Sequence, residues 1–114
     1  MNDFLLIFRR DFNPDEAQPS PEQLQGMMKS WQDWMGSIAA QNKLVNQGNR
    51  LDGDGKVVKP GRVITNGPYV EIKEAIAGYT IIRAASLEEA AEISNGCPVL
   101  LVGGNVEVRQ IVPM

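Results

Sequence analysis

The chain has 114 residues, 43% hydrophobic and 22% charged, a balance that suits one folded domain over residues 1–114 and is not that of a disordered protein. Eleven Lys and Arg against 14 Asp and Glu leave a net charge of −3, so there is no excess positive field for a phosphate backbone and no direct nucleic-acid partner is expected. There is no histidine, which removes the commonest general base near neutral pH and the commonest metal ligand.

The lone Cys97 cannot close an internal disulfide, and no basic segment precedes an apolar core at the start of the chain. The longest apolar run is far short of a membrane span. A cytoplasmic location, away from membranes, is the expectation.

Phe4 to Arg9 opens the chain as a strand with apolar residues in both alternating sets, Phe4, Leu6 and Phe8 against Leu5 and Ile7, so both faces call for burial. Asp11 to Pro19 has loop composition. Ser20-Pro21-Glu22-Gln23 then spells a helix start, with Ser as N-cap, Pro at the first position and Gln completing a capping box. The helix should run to about Asn42, with Leu24, Met27, Met28, Trp31, Met35 and Ile38 forming one apolar stripe. At helical spacing, Trp31, Trp34 and the methionines read as core.

Lys43 to Arg50 suits a short strand, Asp52-Gly53-Asp54-Gly55 a hairpin turn with its glycines at positive φ, and Lys56 to Thr65 a return arm interrupted by Pro60-Gly61. Asn66-Gly67-Pro68 supplies turn chemistry. Gly78 to Ala84 is β-branched and aromatic over the length of a buried strand. Ser86 and Glu89 form a second capping box, with Leu87, Ala90, Ala91 and Ile93 following at helical steps and Asn95-Gly96 ending the helix before Pro98. In the closing strand, Asn105 to Val112, Val106, Val108, Gln110 and Val112 share one face and Glu107, Arg109 and Ile111 the other.

The resulting order is βαββαβ with an added hairpin, an α+β ferredoxin-like antiparallel sheet carrying two helices on one face. Two helices cover one face only, yet the first strand is apolar on both. A homodimer in which two sheets pack face to face, a dimeric α/β-barrel, is therefore expected.

Asn66-Gly67-Pro68-Tyr69, Val70-Glu71-Ile72-Lys73-Glu74, Gly78-Tyr79, Ala84 to Ala90 and the closing Val106-Glu107-Val108-Arg109 together resemble the YCII-related family, in its DGPF-domain branch. The resemblance covers essentially the whole chain. It implies a ferredoxin-like dimeric α/β-barrel whose biochemical role is mostly undefined, and some DGPF-domain proteins occur with sigma-factor-like partners. The family's motif begins with an aspartate, proposed in some members to act with a histidine as an acid–base pair. Here that position is Asn66, whose amide exchanges no proton near neutral pH, so neither half of the pair carries over. What carries over is a polar group beside a tight turn at the mouth of a cavity.

Arg9, Asn66, Tyr69, Glu71, Tyr79 and Arg83 are the candidate ligand-binding residues. Arginines near strand ends, with Arg109 among them, suit a carboxylate or phosphate clamp, or ion pairs with Glu71, Glu74 or Glu107. Asn66 also suits a plain turn, and strand tyrosines commonly pack their rings with the hydroxyl in water. Cys97, just past a helix C-terminus and without histidine, reads as structural. Aligned to a calcium loop through Gly55, the Asp52 to Gly55 run puts Arg50 and Gly61 at the end ligand positions and fails at both, and Gly103-Gly104 lacks the Lys-Ser of a phosphate loop. No cofactor or metal is expected. A small-molecule-binding dimer with a pocket near the Asn66 to Tyr69 turn ranks first. An enzyme using Asp11, Glu71 or Glu107 with tyrosines ranks second, and a protein-interaction module linked to transcription third.

Overall fold

The structure, a computed structural model, describes residues 1–10, 19–67 and 75–114. Its elements are β1 (Asn2–Arg9), α1 (Pro21–Ala40), β2 (Leu44–Asn46), β3 (Gly55–Lys59), β4 (Val63–Gly67), β5 (Ile76–Ala84), α2 (Leu87–Ser94) and β6 (Asn105–Gln110). A 3-10 helix over Pro98–Val102 precedes β6, beginning at the proline that ends the α2 region. Four strands form an antiparallel sheet in the order β2-β5-β1-β6, while β3 and β4 pair separately. This is the ferredoxin-like arrangement with a hairpin arm set between its second and third strands.

The doubly apolar β1 lies inside the sheet, with β5 on one side and β6 on the other, and its two apolar sets face the two sides of the sheet. Phe4, Leu6 and Phe8 are buried on the helix side. Opposite them the register sets Ile82, Thr80 and Gly78 of β5, and beside Leu6 and Phe8 lie Val108 and Val106 of β6. Trp34 and Ile38 of α1 and Ala90 of α2 close the core over this face. Each fully buried large side chain contributes about 1.5–3 kcal/mol relative to exposure. The indole of Trp34 donates to the Ile93 carbonyl at 3.1 Å, tying the two helices, and Phe8, Trp31 and Trp34 meet edge to face at centroid distances of 5.1–6.0 Å.

Both helix starts follow the sequence signals. Gln23 N–H donates to Ser20 Oγ while Ser20 N–H donates to Gln23 Oε1, a complete capping box. At α2, Glu89 N–H donates to Ser86 Oγ, but the Glu89 carboxylate accepts from Ala85 N–H, one residue earlier than the box expects.

Three expectations change. The α1 stripe is buried only in its second half: Trp34 and Ile38 are core, Trp31 and Met35 pack against it, and Leu24 and Met28 are exposed. Asp52 to Gly55 is not the hairpin turn. Residues 44–50 run beside β5, through Leu44, Asn46 and an isolated bridge from Arg50 to Gly78, and the hairpin turns instead at Pro60-Gly61-Arg62. Among the described residues, positive φ falls on Gly61 and Arg62 there, and on Asn42, Gly48 and Gly103, and not on Gly53, Gly55 or Gly67. Asn66 and Gly67 are the last residues of β4; the expected turn at Pro68 and the loop at Asp11 lie outside the described residues.

Candidate functional site

The sheet face turned away from the helices is set by the register of β1. Asp3, Leu5, Ile7 and Arg9 line it from β1, Arg83, Ile81 and Tyr79 from β5, and Arg109 and Glu107 from β6. Leu5, Ile7, Tyr79 and Ile81 form a half-buried apolar strip. At one end Arg83 Nε lies 3.7 Å from Asp3 Oδ1. At the other, Glu107 is shared by Arg9 at 3.0 Å and Arg109 at 3.2 Å. Hydrogen bonds from Arg109, then from Arg9, hold the Glu107 carboxyl below its usual range. A carboxylate held ionised by two guanidiniums is a weak proton acceptor, which makes Glu107 a poor general base.

The second place is the arm. Cross-strand pairing sets Lys56 opposite Asn66 and Val58 opposite Ile64, so all four share one face. Lys56 Nζ donates to Asn66 Oδ1 at 2.9 Å. Around this pair an open notch of about 520 Å³ is lined by Asp54, Gly55, Lys56, Asn66 and Gly67. The Asn66 carbonyl is taken by Lys56, which leaves the Asn66 amide protons and two ammonium protons for another acceptor. A carboxylate or phosphate suits such a donor set.

Among the described residues, the candidates fall in separate places. Arg9 and Tyr79 share the open face near one end of the sheet, and Arg83 lies on that face opposite Asp3, about 20 Å from Arg9 at 3.4 Å per residue. Asn66 stands on the separate arm sheet, and Tyr69 and Glu71 lie outside the described residues. Sequence reasoning missed Lys56. Its signal was the alternation of Lys56 and Val58 against Ile64 and Asn66, which becomes visible once the turn is set at Pro60-Gly61-Arg62.

Cys97 is buried, and burial pushes its thiol up to about 11, far from a reactive thiolate. Among the described residues, no helix is long and apolar enough to cross a membrane.

The profile of the YCII-related domain matches residues 5–114. The chain belongs to the YCII-related family. No curated protein matches it. The match runs from Leu5 in β1 through β6, so the arm and most of the open sheet face belong to the YCII-related domain, whose biochemical role is undefined.

Proposed function

We propose that this YCII-related domain is a binding dimer that holds a small carboxylate- or phosphate-bearing molecule at the base of its arm, next to the Asn66 to Tyr69 segment, without chemistry of its own. The observation that carries this reading is the Lys56–Asn66 pair, at 2.9 Å, presenting cationic and amide donors on an open notch. A catalytic role would need a group that exchanges protons near neutral pH. The chain has no histidine, and among the described candidates Glu107 is held ionised and Cys97 is buried with its thiol raised.

The dimer reading is supported by the open sheet face. Leu5, Ile7, Tyr79 and Ile81 leave an apolar strip half exposed, flanked by Asp3–Arg83 at one end and Arg9–Glu107–Arg109 at the other. Such a strip with both charge signs at each end is self-complementary across a two-fold axis, which fits a second copy.

The test is a thermal-shift screen of the wild-type protein and Asn66→Ala against carboxylates and phosphate monoesters, since a ligand that binds only the native state raises the melting temperature. The expected result is a hit whose shift disappears in Asn66→Ala while the unliganded melting temperature holds. No hit across the panel, or a shift equal in both proteins, sinks the proposal.

A further inference from the structure

The β3–β4 arm poses a stability problem. It forms its own two-stranded sheet, and a lone two-stranded hairpin is marginal in water. One of its faces, with Val57 and Thr65, is half-buried. The other carries Val58 at 73% and Ile64 at 61% exposure, directly opposite each other, so two β-branched side chains stand bare on the least supported part of the sheet structure. The described residues extend 43 × 43 × 18 Å with a radius of gyration of 15.7 Å, against roughly 13 Å for a compact chain of this length.

Charge narrows the choice of what covers that face. Residues 55–67 hold Lys56, Lys59 and Arg62 and no acid, a net +3, so the rest of the chain carries −3 − (+3) = −6. A basic, apolar arm beside an acidic body is complementary to another copy of the same body. A nucleic-acid backbone meets the arm favourably but is disfavoured by the net negative charge of the rest of the chain. At the turn between β3 and β4, Arg62 holds a left-handed backbone at φ 62, which is strained for a non-glycine residue, and adds a third cation to the arm.

We propose that β3–β4 is a dimer arm whose Val58–Ile64 face docks on a second copy, and that this copy supplies the second wall of the Lys56–Asn66 notch. The inference rests on the dimer reading above and adds to it a contact outside the sheet face. The notch, lined by residues 54–56 and 66–67, stands open in the single chain, and on this proposal it is completed between subunits.

The test is sedimentation equilibrium of the wild type and of the double variant Val58→Lys/Ile64→Glu. The variant keeps the arm's net charge and gives the ladder an opposite-charge pair at directly opposed positions, so the hairpin itself is supported while its apolar face is lost. The expected result is a wild-type dimer and a variant whose dimer dissociation constant is at least about tenfold weaker, with an unchanged far-ultraviolet circular dichroism spectrum. A wild-type dimer with an equal dissociation constant in the variant overturns the arm contact and leaves the sheet-face dimer standing. A wild-type monomer at all concentrations overturns both. As a second readout, p-benzoylphenylalanine in place of Val58 should cross-link on irradiation to a product of twice the chain's mass. A dimeric protein that yields only cross-links within one chain overturns the proposal.

Discussion

Gly48 lies so close to the main-chain carbonyl of Tyr79 that a β-carbon at position 48 would sit 1.8 Å from that oxygen. The approach belongs to a bulge on β2. Pairing shifts between Leu44–Ile82 and Asn46–Ile81, Gly48 N–H donates to Asn46 Oδ1 at 2.8 Å, and Thr80 Oγ1 donates to the Gln47 carbonyl at 2.9 Å. The extra length carries the chain past β5 to Arg50 and on into the arm, so this bulge helps to set where the arm leaves the sheet.

Gly48→Ala should therefore cost about 2–4 kcal/mol, since φ is +74 and the obstacle is backbone that cannot turn away. Gly26→Ala and Gly36→Ala are the contrast. A β-carbon at either position in α1 meets nothing within 4 Å, so each should stabilise by roughly 0.5–1 kcal/mol through helix propensity. Urea melts of the three variants check the signs, and a Gly48→Ala midpoint equal to wild type would contradict the bulge geometry.

Local chemistry made much of this fold readable. Ser20-Pro21-Glu22-Gln23 and Ser86 with Glu89 mark helix starts by satisfying orphan amides within a few residues, and the two apolar sets of β1 announce a central strand. The hairpin was not readable in the same way. Asp52-Gly53-Asp54-Gly55 has turn composition, but residues 44–50 find their partner in β5, some thirty residues on, and that pairing is decided by burial against β1. Pro60-Gly61, which looks like an interruption, is the turn itself. The candidate site suffered for the same reason: Lys56 meets Asn66 only across the correct register.

Acid should weaken the open sheet face. Hydrogen bonds from Arg109 and then Arg9 lower the Glu107 carboxyl from its ordinary 4.5, and Lys43, with the Ala85 amide, lowers Glu89 in the same way. A carboxyl whose folded value is depressed contributes stability that is fully present above its unfolded value and is lost as pH falls through the folded one. The melting temperature should thus fall as pH drops below about 4.5, and the fall should be shallower in Glu107→Gln. Equal slopes in the two proteins would mean that the Arg9–Glu107–Arg109 cluster does not hold in solution.

Cys97 gives a prediction of opposite pH sense. Burial raises its thiol from 9.0 to about 11, so its contribution is intact below 9.0 and is lost as pH rises toward 11, where the unfolded chain gains by ionising first. The native protein at pH 8 should resist a thiol-specific disulfide reagent, and one equivalent should react in denaturant. Prompt labelling of the native protein would show that the segment around Pro98 opens readily.

Asn66→Asp separates charge from shape at the notch. Aspartate would exchange the neutral acceptor of Lys56 for a charged one at nearly the same shape. The site is exposed, so the new ion pair should change stability by no more than about 1 kcal/mol. Its effect on an anionic ligand should be larger, because the added carboxylate neutralises the ammonium and withdraws both amide protons of Asn66. A carboxylate or phosphate that stabilises the wild type should therefore lose most of its thermal shift in Asn66→Asp, with the unliganded melting temperature nearly unchanged. Undiminished binding in the variant would show that Lys56 and Asn66 do not anchor the ligand, and would move the search for the site to the Arg9–Glu107–Arg109 end of the sheet.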